Sequence, residues 1–576
     1  MSKINRLDIL IMVIITLIFG VVSFWNLGDM NAPKTAWAPN VGDVVVISLP
    51  ENTHISRIQY FLGARTDKNL EIALSDDGEI WCEQPLIVRL TNVFAWSNIA
   101  MDDVASYIRL RGSSNELFIL EMAIRDYNDN IVQVQVDEAG QALFDEQHLV
   151  PLMNTFMNST YFDEIYHPRT AYEFIHQMDV LEWSHPPLGK AIIACGVLIF
   201  GMNPFGWRFM GTLFGVLMLP LLYIFAKHMF KHPFWATFAT LLFAADFMRF
   251  AQTRLATIDT YIVFFVIAMY YYMYKYISED FTGAKPAKLY VPLALSGLTM
   301  GLGIASKWPG VYAAIGLAII FFIHLVQAYL QARRNDSIPQ FGNRSLKIIA
   351  WCLLCFVAIP VLVYGLSYIP FIRTPGREGL SGIWENQMQM FNYHANLDAT
   401  HGYSSLWWQW PLMTRPILYY ARTMPDGLKS GISSFGNPLV WYVGVLAFFY
   451  TAWEALKQIW NSFNLQFKFP NVINSKVPLF ITIGALAQFL PWIPVTRVVF
   501  IYHFFPVVPF LILATTYMFK RFADAKLHHK YITPVVYLLA AFVLFIMFYP
   551  VLAGVPVSEE YVSLFLRWLS SWVLVI

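Results

Sequence analysis

The chain has 576 residues, 57% of them hydrophobic and only 13% charged, which excludes an ordinary soluble domain and marks a membrane protein. Its 39 basic and 38 acidic residues leave no global basic excess, so a nucleic-acid partner is excluded as well. Four cysteines in so long a chain make no disulfide framework, and Cys352 and Cys355 fall inside an apolar run, where they read as helical thiols in lipid.

A membrane crossing needs roughly 20 apolar residues. The first candidate, Leu7 to Trp25, follows Lys3 and Arg6 and is not followed by a small-residue cleavage site; it reads as a signal anchor with a cytoplasmic N-terminus. Further spans are expected at 206–228, 233–249, 258–277, 289–305, 309–330, 347–369, 437–456, 477–491, 499–518 and 531–551. Threading them alternately puts Lys227/Lys231, Lys275/Lys285/Lys288, Arg333/Arg334/Arg344/Lys347, Lys457/Lys468/Lys476 and Lys520/Arg521/Lys526/Lys530 in the cytoplasm, as the positive-inside rule demands. The reading is an all-α polytopic protein of about eleven spans. Residues 1–28 carry the first span, 206–369 and 437–551 the others, 370–436 a second outer loop and 552–576 an outer tail. Leu188 to Phe200 is too short to cross and reads as a juxtamembrane or re-entrant helix.

The first outer segment opens with a different pattern. Between about 40 and 137, β-branched and alternating runs (VVVISL, NLEIAL, SYIRLRG, LFILEMAIRD, IVQVQV) are separated by turn signals such as Ser75-Asp-Asp-Gly78, which predicts an inserted extracytoplasmic β-sandwich. Its pattern resembles the galactose-binding, discoidin-type jelly rolls. A sugar-binding role and a plain spacer or docking role both stand open.

Residues 150–205, the expected catalytic part of this loop, contain Phe162-Asp163-Glu164, His167-Pro-Arg169 and then His185-Pro-Pro-Leu-Gly-Lys190. Two carboxylates, two histidines and two cations beside an apolar boundary form a functional site by default, because an unpaired charge is costly there. Arg208, Arg249, Arg254, Lys307 and Arg497 all fall at outer helix ends, against the positive-inside bias. As a set they suit an anion at the membrane surface, and a lipid phosphate is the anion found at that depth. Asp259 adds a carboxylate at the same level, or caps its helix. A carboxylate base beside phosphate-binding cations implies group transfer from a phospholipid-linked donor.

These residues, with Asn203-Pro-Phe-Gly-Trp-Arg208, Ser306-Lys307-Trp, Tyr393-His394, Thr400-His401-Gly-Tyr, Trp407-Trp408-Gln-Trp-Pro and Leu490-Pro-Trp, resemble the bacterial protein O-mannosyltransferases of glycosyltransferase family 39. The resemblance runs from about 160 to 551. It implies a GT-C fold of eleven spans and inverting transfer of mannose from a polyprenyl- or dolichyl-phosphate carrier to serine or threonine hydroxyls of exported proteins. Carried over, the acidic pair falls on Asp163 and Glu164, with Asp163 expected as base. Arg208, Arg254, Lys307, Lys190 and Arg497 are the expected phosphate ligands. His185, Asp259, His394, His401, Trp407 and Trp408 are expected to position donor or acceptor. The resemblance also implies polyprenyl-phosphate-mannose, an exported protein and membrane lipids as partners, in a bacterial plasma membrane with the site on the extracytoplasmic face.

Two departures stand out. The MIR repeats of eukaryotic members are missing from 370–436, and the β-rich insert lies outside the family pattern. Transfer of another lipid-linked sugar to a glycan, lipid or wall polymer remains the alternative, and a lipid-linked sugar flippase a weaker one. The histidines and acidic pair leave a divalent cation open as cofactor, though their spacing fits no closed metal motif. Pairing of two copies is also left open.

Overall fold

The computed structural model describes residues 3–464, 476–525 and 530–576; Lys468 and Lys526, two of the expected cytoplasmic cations, lie outside the described residues. The chain divides into two compact units. One comprises residues up to Trp25, Glu182–Ile192 and Met210 onward; the other comprises Asn26–Leu181 and Ile193–Phe209.

The first unit is built on apolar helices. Helix α1 (Arg6–Phe24) starts on a capping box in which Asn5 and Asp8 satisfy each other's backbone N–H groups. Asp8 is fully buried, and it also accepts from Lys227 Nζ at 2.8 Å and Tyr223 OH at 2.9 Å, so a paired charge pins α1 to a later helix. Two short helices come next in the chain: α2 (His167–His176), a part of the second unit, and α3 (Leu188–Phe200), whose residues from Ile193 also belong to the second unit; α3, with 13 residues, is too short to cross a bilayer. They are followed by α4 (Pro204–Phe230), α5 (Pro233–Ala244), α6 (Phe247–Thr253), α7 (Asp259–Ile277), α8 (Pro286–Ser306) and α9 (Gly310–Arg334). Then come α10 (Ile338–Leu353), α11 (Ile359–Ser367), α12 (Gly379–Asn396), α13 (Pro438–Asn464), α14 (Lys476–Phe489), α15 (Val508–Asp524) and α16 (Ile532–Ala553).

Helices occupy all the expected spans, but fewer qualify as crossings. Among the described residues, eight are long and apolar enough to cross a membrane, or nine if the bent α5–α6 pair is one span. The shortfall against the expected eleven has local causes: α7 is rich in tyrosine, and Lys476–Trp492 is too short.

The span expected at 233–249 is broken by 59° between α5 and α6. Asp246 accepts from Arg249 N and so starts a new helix, while the Arg249 guanidinium donates to the carbonyls of Phe243 and Ala244 that end the old one. Arg249 is therefore a buried cap, not a surface cation awaiting an anion. Cys355 lies in a π-helical turn, Leu354–Ala358, whose backbone sits so close to Gly297 that a Cβ there would meet the Cys355 carbonyl at 1.9 Å. Cys352 and Cys355 are free thiols with a packing role.

The second unit contains the strand-rich insert. Six strands, β1 (Val44–Leu62), β2 (Lys68–Ser75), β3 (Leu86–Leu90), β4 (Trp96–Gly112), β5 (Ile119–Arg125) and β6 (Gln135–Val136), form one antiparallel sheet in the order β3-β2-β4-β1-β5, with β6 also on β1. The expected two-sheet sandwich is not what the hydrogen bonding gives. β1 and β4 are long and pair along most of their length through register shifts at Ser48/Thr53 and Ile55/Arg57, so one end of β1 carries β6 and the other carries β5 without a second sheet forming. A hairpin, β7 (Ile417–Thr423) and β8 (Lys429–Ser434), turns at Pro425-Asp-Gly427 inside the segment read as an aromatic loop.

Candidate active site

In the first unit a cleft of about 810 Å³ opens among the ends of the helices, lined by His185, Lys307, Trp308, Gln387, His394, Asp398, Arg497 and His503 among others. Lys307 stands where α8 stops. Its extended backbone (φ −161°, ψ 135°) breaks the helix, and Pro309 caps the next one. Lys307 Nζ donates to Asp259 Oδ1 at 2.8 Å, with the two side chains 11% and 12% exposed. Asp259 is the first residue of α7, where the helix N-terminus also favours a carboxylate. Arg497 makes no ion pair among the described residues; it donates only to the neighbouring Val498 carbonyl, at 3.4 Å. With Asp259 balancing Lys307, the Arg497 charge is left to face the cleft.

His185 is held by a residue that the sequence reading passed over. Glu182 accepts from Lys190 Nζ (2.5 Å), from the Ser184 N–H (2.9 Å) and from the Ser184 hydroxyl, and its carboxylate lies 3.2 Å from His185 Nδ1. Lys190 is buried and also donates to the Glu182 carbonyl, so it fastens this segment and is not spread against a lipid phosphate as expected. The signal was present as Glu182-x-x-His185-x-x-x-x-Lys190, a carboxylate spaced to reach both partners. Burial chiefly holds His185 below the ordinary histidine range, opposed by Glu182.

His394, on α12, lies against His185 with ring centroids 5.4 Å apart, and its Nε2 is 2.9 Å from the Ser184 carbonyl. That contact makes Nε2 the donor and leaves Nδ1, which is buried without a hydrogen-bond partner, as a free acceptor in the wall of the cleft. Burial, with His185 and Arg497 nearby, pushes the His394 pKa down to about 4, so the ring is neutral at ordinary pH. Trp308, part of the Ser306-Lys307-Trp motif, donates through Nε1 to Tyr364 OH, which donates to Gln387 Oε1; Tyr364 and Gln387 carried no sequence signal.

In the second unit Phe162–Ile165 is a single 3-10 turn. Phe162 adopts φ 51°, a conformation that costs energy for an aromatic residue, immediately before Asp163. Glu164 is fully buried. Arg208 Nε and Nη2 donate to its two carboxylate oxygens at 2.7 Å each, while the remaining guanidinium N–H groups reach the carbonyls of Leu27 (2.8 Å), Phe156 (2.6 Å) and Ser159 (3.1 Å). All five donors of Arg208 are thus used. This corrects two expectations: Arg208 has no N–H left for a lipid phosphate, and Glu164 is a buried counter-charge, not a group open to substrate. Asp163 is half-buried.

Two family models match the chain: "Dolichyl-phosphate-mannose-protein mannosyltransferase" over residues 197–372 and "C-terminal four TMM region of protein-O-mannosyltransferase" over 380–572. The chain belongs to the protein O-mannosyltransferase family. The polyprenol-phosphate-mannose–protein mannosyltransferase of Mycobacterium tuberculosis is 24% identical over 496 residues, which is 76% of this chain and 87% of that protein. The Corynebacterium glutamicum protein of the same description is 25% identical over 489 residues, 75% and 89% of the two chains. The Saccharomyces cerevisiae Pmt1–Pmt2 complex bound to the sugar donor shares the fold, with a TM-score of 0.62 at 14% identity over 71% of this chain and 89% of that one.

Of the site residues expected for a mannosyltransferase, His185, Lys307, His394 and Arg497 line one cleft, and Asp259 joins it through Lys307. Others do not line it. Arg254 donates to the Trp25 carbonyl at 2.9 Å and lies over the Phe250 ring. His401 packs edge-on to Phe500, Trp407 against Phe489, and Trp408 is exposed. His503, outside the expected set, does line the cleft, stacked on the buried Trp410. Among the described residues, the expected histidine–carboxylate set is not gathered within ion-binding distance. The one such group is Glu121, Asp145 and Glu146 in the second unit, whose oxygens already accept from Thr35, Lys34 N, Glu146 N and Gln147.

Proposed function

We propose that this mannosyltransferase moves mannose from a polyprenyl-phosphate carrier to serine or threonine hydroxyls of exported proteins, with inversion at the anomeric carbon. The observation that carries the reading is the cleft itself: Lys307 at a helix end and Arg497 in the loop before Ile501, between neutral, hydrogen-bonding histidines, make a site for a phosphate tethered to lipid. The names of the mycobacterial and corynebacterial relatives agree with that donor and with a protein acceptor. The finer architecture belongs to the same proposal: a GT-C bundle of eleven spans in a bacterial plasma membrane, with a cytoplasmic N-terminus and an extracytoplasmic cleft.

In this reading the bond between the anomeric carbon and the phosphate oxygen breaks, and its electron pair leaves with the phosphate. Lys307 and Arg497 stabilise the charge that develops there, and His394 Nδ1 accepts a hydrogen bond from a substrate hydroxyl. The acceptor oxygen attacks the opposite face of the sugar and gives its proton to a carboxylate base, for which the family resemblance nominates Asp163. The strained turn at Phe162 supports the assignment to Asp163, since such strain gathers at functional positions.

The test is transfer by purified full-length protein to a serine/threonine-rich peptide, offered polyprenyl-phosphate-mannose or polyprenyl-phosphate-glucose. Mannosylated peptide from wild type, and none from a folded Asp163→Asn variant, is the expected result. Full activity in Asp163→Asn would remove the base, and transfer of glucose alone would overturn the donor.

A further inference from the structure

Helix α12 carries three distinct stripes. Gly382, Asn386 and Met390 are buried, with Asn386 Nδ2 donating to the Trp183 carbonyl at 3.0 Å, and Gln387 and His394 on this side line the cleft. Ser381, Glu385, Asn392 and Asn396 form an exposed polar stripe. The third stripe is Leu380, Trp384, Met388 and Phe391, which are 84%, 67%, 43% and 59% exposed although all four are large and apolar. Their spacing of four, four and three residues puts them on one line along the helix.

Continuity identifies what covers this stripe. The span that leads into α12, Ile338–Arg373, is the least buried of the candidate crossings, at 17%, and bares Val361, Leu362, Leu366 and Ile369 to lipid up to its end. Arg373 closes this span and Arg377 follows four residues later, and cations at the end of a crossing suit the phosphates of a bilayer surface. The chain thus passes from an exposed apolar span through two cations into a helix whose exposed surface carries an apolar line with a polar line beside it, the surface a helix lying in a membrane interface presents. Phe391 belongs both to the apolar stripe and to the lining of the cleft, so the stripe runs onto its rim.

We infer that α12 lies in the membrane interface on the side of the cleft, with Leu380, Trp384, Met388 and Phe391 among lipid chains. Its inner face then forms a lipid-level rim across which a membrane-borne phosphate reaches Lys307 and Arg497 sideways from the bilayer. The second statement rests on the donor proposed above; the first does not.

The two are tested separately. Full-length protein with the exposed Cys82 and Cys195 replaced by serine is given one spin label, through Trp384→Cys, Met388→Cys or Glu385→Cys, and reconstituted into vesicles. Labels at 384 and 388 should collide with oxygen more than with a water-soluble nickel chelate, and the label at 385 the reverse. Equal nickel access at 384 and 385 overturns the interfacial helix. So does exclusion of both reagents with spin–spin broadening, which would mark contact with a second copy. In the activity arm, Leu380→Glu with Trp384→Glu should raise KM for a long-chain polyprenyl-phosphate-mannose in vesicles by about fivefold or more. kcat and KM for a short-chain, water-soluble donor should stay unchanged. An unchanged long-chain KM overturns the sideways route, whereas wild type inert to both donors overturns the donor and leaves the spin-label result standing.

Discussion

Replacing Arg208 by alanine should unfold the protein's second unit before it touches donor chemistry. The substitution leaves the Glu164 carboxylate buried with no counter-charge and removes the donors from the Leu27, Phe156 and Ser159 carbonyls. Breaking a buried ion pair by removing one partner costs about 3–5 kcal/mol. Each carbonyl that water cannot reach adds about 1–3 kcal/mol before relaxation. A total of about 5 kcal/mol corresponds to a fall in Tm of about 10–20 °C for a unit of this size. Arg208→Lys keeps the charge but cannot bridge both carboxylate oxygens and reach three carbonyls, so it should recover only part of the loss. Glu164→Gln combined with Arg208→Gln should cost less than the two single changes together, because the second removes a charge the first has already freed. Thermal unfolding in detergent, followed by intrinsic fluorescence, reads these single and double variants. The reasoning fails if Arg208→Ala melts with the wild type and has lost only donor binding, the behaviour of a phosphate ligand.

The remaining predictions concern the cleft and the sheet. Lys307→Met should raise donor KM about tenfold or more and leave Asp259 uncompensated; adding Asp259→Asn should restore thermal stability without restoring donor use, read by melting and initial rates on the double variant. His394, held down to about 4, stays neutral in the folded protein while the unfolded chain takes up its proton near 6.5. Its contribution to stability is therefore present above about pH 6.5 and lost as pH falls toward 4. His394→Gln should flatten that part of the Tm–pH curve while raising KM, and an unaltered curve would refute the neutral ring. Glu121, buried and pushed up to about 8, works with the opposite sign. The unfolded carboxyl ionises near 4.5 and the folded one only near 8, so stability falls as pH rises through that window. Glu121→Gln should remove the slope, measured as denaturation midpoint against pH.

Much of the bilayer architecture was written in composition, because lipid leaves a chain few choices: helices recur wherever about 20 apolar residues do. The break at Ala245 was not legible, because it depends on Arg249 reaching back to carbonyls at the end of α5, a three-dimensional closure that hydropathy does not register. The insert's strands were legible from their alternation. That they join as one sheet was decided by the register shifts within β1 and β4, which depend on pairing between distant segments.

The sequence by itself determined the chemistry available: a membrane chain with acidic, histidine and misplaced cationic residues at helix ends, in motifs of a mannosyltransferase. Which of those cations line the cleft was decided only by the tertiary structure. Arg208 and Lys190 look as suited to phosphate as Lys307 and Arg497 when read along the chain. Folding buries the first two against Glu164 and Glu182 and leaves the other two on the cleft. A buried cation must find its counter-charge wherever the fold supplies one, and that partner, 44 residues away for Arg208, is set by packing and not by local pattern.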